Sequence, residues 1–239
     1  MTVPARLLGV CCALVALTGG AAAGEPPVRC SPEQRSGCAP PRVSTDAGSP
    51  AHRRAGLVDV HRFAPGVVSD LRYATRRNLT GKRLAGYCEP WALLLRPVAK
   101  DLARVQRLLR RRGLGLAVFD AYRPARASRD LVRWARRSGR ADLVGTYIAR
   151  RSNHNLGSAV DLTLVRARDG RRLRMGTGYD NLSVKANTRN ARGRILRNRL
   201  TLVRAMERHG FSNYHREWWH FDHRVKGPRY LDISLGCSS

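Results

Sequence analysis

Apolar residues recur along this chain with two periods. Across residues 97–112, Val98, Leu102, Val105, Leu108 and Leu109 sit at helical spacing, with Pro97 suited to a first turn and Gly113 to a stop. The same spacing predicts helices over residues 125–137 and 195–209, the second ended by Gly210. Short apolar runs at 57–60, 67–71 and 116–119 read as strands. From Ala159 to Val165, small or polar positions alternate with apolar ones, which predicts a strand packed on a core. Asp169-Gly170, within residues 166–172, marks a hairpin turn, and a last core strand is expected to carry residues 217–222. Strands and helices mix without a regular βαβ alternation. The pattern therefore predicts an α+β fold, with helices packed on a mainly antiparallel sheet.

The N-terminal stretch follows a different pattern. Arg6 supplies a short basic region, Leu7 to Leu17 is apolar, and Ala21-Ala22-Ala23 offers a small-residue cleavage site. The apolar run is too short to span a membrane. Residues 1–23 are expected to be a cleaved signal peptide, which makes the protein secreted and removes Cys11 and Cys12. Residues 24–56, rich in Pro, Ser, Gly and Arg with few large apolar side chains, read as a flexible linker. The folded domain is expected over residues 57–239, a length that suits one core, and no internal repeat is visible.

Charge and cysteines then narrow the partners. The formal net charge is +28, nearly all from arginine, since the only lysines are Lys82, Lys100, Lys185 and Lys226. A solvated arginine-rich surface is the plain reading. Electrostatic association with an anionic cell wall is the sharper one. Nucleic-acid binding fits the charge but not the export segment, and no nucleic-acid-binding motif is present. In an oxidising compartment Cys30, Cys38, Cys88 and Cys237 would form disulfides, with three pairings open. We favour Cys30 with Cys38, which are close in sequence, and Cys88 with Cys237, which would tie the C-terminal tail to the domain. A four-cysteine zinc site is disfavoured because no CxxC pair exists.

The candidate chemistry lies around Ser152-Asn153-His154-Asn155-Leu156-Gly157-Ser158-Ala159-Val160-Asp161. His154 is expected on the loop leading into the strand and Asp161 on the strand itself. Imidazole and carboxylate are ordinary zinc ligands, and a catalytic zinc has three protein ligands and one open position. The third ligand is sought in Glu217-Trp218-Trp219-His220. Each residue alone also has a plain structural role: a loop histidine, a surface salt bridge for Glu217, a capping arginine for Arg123.

Three further blocks complete the pattern: Tyr73-Ala74-Thr75 with Asn78-Leu79-Thr80-Gly81, then Asp120-Ala121-Tyr122-Arg123-Pro124, then Met175-Gly176-Thr177 with Asp180. Together the blocks resemble the zinc D-alanyl-D-alanine dipeptidases, a group within the zinc D,D-peptidases related to hedgehog domains. The resemblance spans about residues 58–221. It implies that hedgehog/D,D-peptidase-like fold and one Zn2+ per chain, held by His154, Asp161 and His220. It implies Glu217 as the group that moves protons, and Arg123 as the stabiliser of the oxyanion. Asp180 would hold the substrate ammonium, with Tyr73 and Ser152 in the substrate pocket. The implied substrate is D-Ala-D-Ala or a related wall-derived peptide. Asn153 departs from the pattern, where relatives often carry Ser. Two other readings stand beside this one. A D,D-carboxypeptidase or wall endopeptidase of the same superfamily would lack the ammonium clamp, which Asp180 argues against. A non-catalytic zinc- or wall-binding module would have no need of Glu217.

Overall fold

The structure, a computed structural model, describes residues 47–237. In chain order its elements are α1 (Pro50–Arg54), β1 (Leu57–Asp59), α2 (Val60–Phe63), β2 (Val68–Ser69), β3 (Leu93–Leu95) and α3 (Arg96–Arg110). There follow β4 (Leu114–Asp120), α4 (Ala125–Arg137), β5 (Ala159–Arg166), α5 (Gly193–Glu207), β6 (Phe211–Asn213) and β7 (His220–His223). The main sheet has the order β2-β4-β5-β7-β6, and only β2 pairs in parallel, against β4. A second, two-stranded sheet pairs β1 with β3 antiparallel. This is the α+β, mainly antiparallel architecture that the apolar pattern predicts.

Two apolar clusters carry the stability. The larger gathers Val98, Leu102 and Val105 of α3, Leu202 and Met206 of α5, and Val160, Leu162 and Leu164 of β5. The smaller gathers Leu131 and Ala135 of α4 with Tyr87, Leu93, Tyr122 and Leu235. Each large apolar side chain so buried contributes about 1.5–3 kcal/mol.

Several expectations need correction. The linker was expected to reach residue 56, but Pro50–Arg54 is helical and buries His52 completely. Ser49-Pro50 starts that helix, with Pro in its first turn. The strand expected at 57–60 stops at Asp59, because the Asp59 carboxylate accepts from His61 N–H and caps α2. The strand expected at 67–71 shrinks to Val68–Ser69, and residues 72–74 turn into a 3₁₀ helix. Glu217 is not on the last strand, which begins only at His220. The expected hairpin turn is present: Gly170 N–H donates to Arg166 O, and Arg166 N–H to Arg171 O.

Among the described residues no helix is long and apolar enough to cross a membrane. Cys88 is bridged to Cys237, as favoured from the sequence. The signal peptide, most of the linker and the Cys30–Cys38 pairing lie outside the described residues.

Candidate active site

Three adjacent strands create a polar row. Asp120 on β4 is the register partner of Asp161 on β5, and Asp161 is the partner of His220 on β7. A register shift between Val118 and Asp120 bends the end of β4, the kind of irregularity that re-aims a side chain. His154 comes from a 3₁₀ turn, Asn153–Leu156, just before β5. Ser152 caps this turn, its Oγ accepting from His154 N–H at 3.3 Å. Gly157 ends it at φ +69°, and a Cβ there would meet Leu57 Cδ2 at 2.5 Å, so the step into β5 requires glycine.

The three side chains converge. Nε2 of His154 lies 3.2 Å from Nδ1 of His220 and 3.3 Å from Oδ1 of Asp161. Nδ1 of His220 lies 2.9 Å from the same Oδ1. A tetrahedral zinc with bonds of roughly 2.0–2.2 Å sets its ligands roughly 3.3–3.5 Å apart, so this triangle fits such an ion. The far side of each ligand is already bonded. His154 Nδ1 donates to the Ala121 carbonyl at 2.6 Å, and His220 Nε2 donates to Asp222 Oδ1 at 3.0 Å. Asp161 Oδ2 accepts from the Tyr179 hydroxyl at 2.9 Å. These partners select the tautomers that turn a lone pair of each ring toward the common point.

Electrostatics within the cluster are strong. Burial disfavours charge on Asp161, but His154 and His220 outweigh it and hold the carboxyl well below its usual range. Burial likewise opposes a charge on His220, yet its bonds to Asp161 and Asp222 raise its pKa well above the ordinary value. Arg123 stands beside this group. Its Nε and Nη2 reach Asp120 Oδ2 at 2.9 and 2.8 Å, and its guanidinium lies 4.9 Å from the Tyr73 ring centre.

The facing wall carries two carboxylates with few partners. Glu217 lies in the turn between β6 and β7, which is shaped by Asn213 Nδ2 donating to the Glu217 and His220 carbonyls, each at 2.9 Å. Burial, with Asp161 and Asp180 nearby, pushes the Glu217 pKa up to about 8 against the pull of His220 and Arg123. Asp180 sits at φ +60°, a conformation that costs energy for most residues. Its Oδ1 accepts from the Tyr73 hydroxyl at 3.0 Å, while the buried Oδ2 has no partner among the described residues. Burial first, then Asp161, pushes the Asp180 pKa up to about 7. The loop that carries Asp180 is tied to α5 by Arg199, which donates to the carbonyls of Met175, Lys185 and Asn187.

All eight residues singled out from the sequence line one cavity of about 280 Å³: Tyr73, Arg123, Ser152, His154, Asp161, Asp180, Glu217 and His220. Leu131, Ile148 and Leu182 add apolar wall. Sequence reasoning gave no role to Asp120, Tyr179 or Asp222, which orient Arg123, Asp161 and His220. Their spacing carried a signal, since Asp222 follows His220 by two on one strand and so shares its face. His223, close to the cluster in sequence, packs on Phe211, and its Nε2 bonds Asp101 at 3.0 Å. His215 is exposed and His209 half-buried, and neither belongs to the cluster. Trp218 and Trp219 are core residues.

A mainly antiparallel sheet ending in a His–Asp–His cluster, with the carboxylates of Glu217 and Asp180 in the same cavity, is the constellation of a metallopeptidase. The family model described as D-ala-D-ala dipeptidase matches residues 53–233. The chain is 32% identical over 184 residues to a D-alanyl-D-alanine dipeptidase of Enterococcus faecium, an alignment that covers 70% of this chain and 90% of that one. Like-named relatives of Streptomyces coelicolor and Escherichia coli are 32% and 34% identical, over 68% and 70% of this chain and 88% and 83% of theirs. The chain belongs to the D-alanyl-D-alanine dipeptidase family and is an enzyme of that kind.

Proposed function

We propose that the protein is an exported zinc dipeptidase that hydrolyses D-Ala-D-Ala, with the ion held by His154 Nε2, Asp161 Oδ1 and His220 Nδ1. The observation that carries this reading is the convergence of those three atoms, within 4.8 Å of one another, in the cavity that also holds Glu217 and Asp180. When bound, zinc supplies a Lewis acid that lets water ionise near pH 7.

The chain's own residues do the rest. Glu217 lines the same cavity as the three ligands and is the group that takes the proton of the attacking water and returns it to the leaving amine. Its raised pKa suits a group that must hold a proton between the two steps, and a nearby cation would lower that pKa and favour the ionised carboxylate that takes the proton. Arg123 is fixed by Asp120 on one edge and keeps Nη1 for the carbonyl oxygen as charge develops there. Asp180 Oδ2, buried and unpartnered, is an acceptor for the substrate ammonium. The small cavity, with Tyr73 and Ser152 on its wall, suits a dipeptide better than a long chain. The Cys88–Cys237 bridge supports an oxidising compartment, and therefore export with scavenging or wall turnover as the setting. The high positive charge supports association with an anionic wall.

Zinc-loaded protein assayed on D-Ala-D-Ala, L-Ala-L-Ala and a pentapeptide ending in D-Ala-D-Ala tests the proposal. Preferential cleavage of the first supports it. Cleavage of the pentapeptide at an equal rate would replace it with a carboxypeptidase.

A further inference from the structure

The C-terminal tail does more than end the chain. Ala125 N–H donates to Leu231 O at 3.1 Å, and Ile233 N–H donates to the Tyr122 hydroxyl at 2.8 Å. These contacts flank Arg123 on both sides. Leu231 N–H donates to the carbonyl of Asn155, next to His154, at 3.0 Å. Further along, Leu235 is laced to the segment around Tyr87: its N–H donates to Gly86 O at 2.7 Å, and its carbonyl accepts from Cys88 and Glu89 N–H at 2.9 and 2.8 Å. Cys237 closes the lacing by its bridge to Cys88.

The segment so pinned ends in an active-site contact. The Tyr87 hydroxyl donates to Asp120 Oδ1, deep in the core. Asp120 turns its other oxygen to Arg123, and the same oxygen lies 3.4 Å from His154 Nδ1. Asp120 is fully buried, so its orientation depends on these few bonds rather than on water. Without the Tyr87 hydroxyl, Asp120 Oδ1 loses this donor and the carboxylate is held through Oδ2 alone, so the guanidinium bonded to that oxygen is less firmly placed. The family match ends at residue 233, so Leu235 and Cys237 lie beyond it.

We propose that Tyr87 is a positioning residue for Arg123, and that the tail with its Cys88–Cys237 bridge is the latch that keeps Tyr87 in place. This inference rests on the dipeptidase reading for its kinetic test but not for its spectroscopic one. An arginine that faces a developing oxyanion can supply about 10²–10³ in kcat; displacing it rather than deleting it predicts a loss of about tenfold.

The test uses Tyr87→Phe and the double variant Cys88→Ser/Cys237→Ser, with no thiol reductant, because thiolates bind zinc themselves. On D-Ala-D-Ala, each should lower kcat about tenfold, with KM within about twofold and zinc still at one per chain. Placed in an Arg123→Ala background, Tyr87→Phe should cost nothing further, because the group it positions is gone. A loss that persists in that background, or an unchanged kcat in the wild-type background, overturns the proposal. Should the serine variant fail to fold, Tyr87→Phe, which removes only a hydroxyl, decides the role of Tyr87, and Leu235→Gly, which loosens the tail without touching the bridge, decides the latch. If the wild type does not cleave the dipeptide, the proposed function falls, but the positioning of Arg123 by Tyr87 is still decided by NMR, and the same measurement on the serine variant decides the latch. The Arg123 Nε–H, bonded to Asp120, should be protected from exchange in the wild type and exposed in Tyr87→Phe. Equal protection in both overturns it.

Discussion

The two walls of the cavity use the same kind of group in opposite ways. On the strand wall, Asp161 and Asp222 are buried or half-buried, and both have carboxyl groups held below their usual range despite that burial, because His154 and His220 face them. On the loop wall, Glu217 and Asp180 are also shielded from water, yet their pKa values rise to about 8 and about 7, with burial the largest cause. The strand wall is complete: nearly every donor meets an acceptor. The loop wall has few partners, the Tyr73 hydroxyl on Asp180 Oδ1 among them, and it is where a proton and a substrate ammonium would be received. A site that holds an ion and a site that handles a reactant are thus distinguished by how far their carboxylates are satisfied, not by residue type.

Breaking the strand wall should have the largest effect. His154→Ala removes one corner of the ligand triangle, and both stoichiometric zinc and activity should disappear. Full zinc retention in that variant, measured by metal analysis, would take His154 out of the ligand set. Breaking the loop wall should leave the metal alone. Glu217→Gln is expected to bind zinc normally and lose roughly 10²–10⁴-fold in turnover. Near wild-type turnover would remove Glu217 from the reaction. A smaller effect is expected one bond further out. Asp222→Asn weakens the acceptor for His220 Nε2–H, and should lower zinc affinity by about 10–100-fold while leaving turnover nearly intact at saturating zinc. An unchanged affinity in a chelator competition would show that Asp222 does not support the ligand.

The smallest effect sharpens the contrast through pH. Glu217 has an ordinary pKa of 4.5 and a folded value of about 8, so the folded chain keeps a proton that the unfolded chain loses between those values. Its contribution to stability is present at low pH and declines as pH rises through that window. In zinc-free protein the melting temperature should therefore fall between about pH 5 and about pH 8, and fall less in Glu217→Gln. An identical slope in the two proteins would contradict the raised pKa.

Much of this site was legible because its chemistry sits in short local blocks. α4 runs from Ala125 to Arg137 as its periodicity predicts, and Asp161 lies on β5 where alternation places it. What the sequence hid depends on distant partners. Glu217 leaves the strand because Asn213, on β6, bonds two carbonyls of the turn. The brief strands β3 and β6, three residues each, have no periodicity to read and exist through pairing with β1 and β7. α1 was masked by a Pro- and Arg-rich composition, although Ser49-Pro50 is an ordinary helix start. Tyr87, with an unremarkable local context, matters only because the fold sets its hydroxyl against Asp120.

The unpartnered Asp180 Oδ2 allows the division between walls to be tested in one experiment. The measurement is kcat/KM for D-Ala-D-Ala and for its N-acetylated form, in the wild type and in Asp180→Asn. Acetylation replaces the ammonium with an uncharged amide and adds bulk where the cavity is narrow. Each tenfold in rate corresponds to about 1.4 kcal/mol, and a buried carboxylate deprived of its cation costs at least that much. The wild type should prefer the free dipeptide by tenfold or more, roughly, and Asp180→Asn should narrow the gap mainly by slowing the free dipeptide. Equal hydrolysis of both substrates by the wild type would mean that Asp180 receives no ammonium and that the loop wall has another purpose.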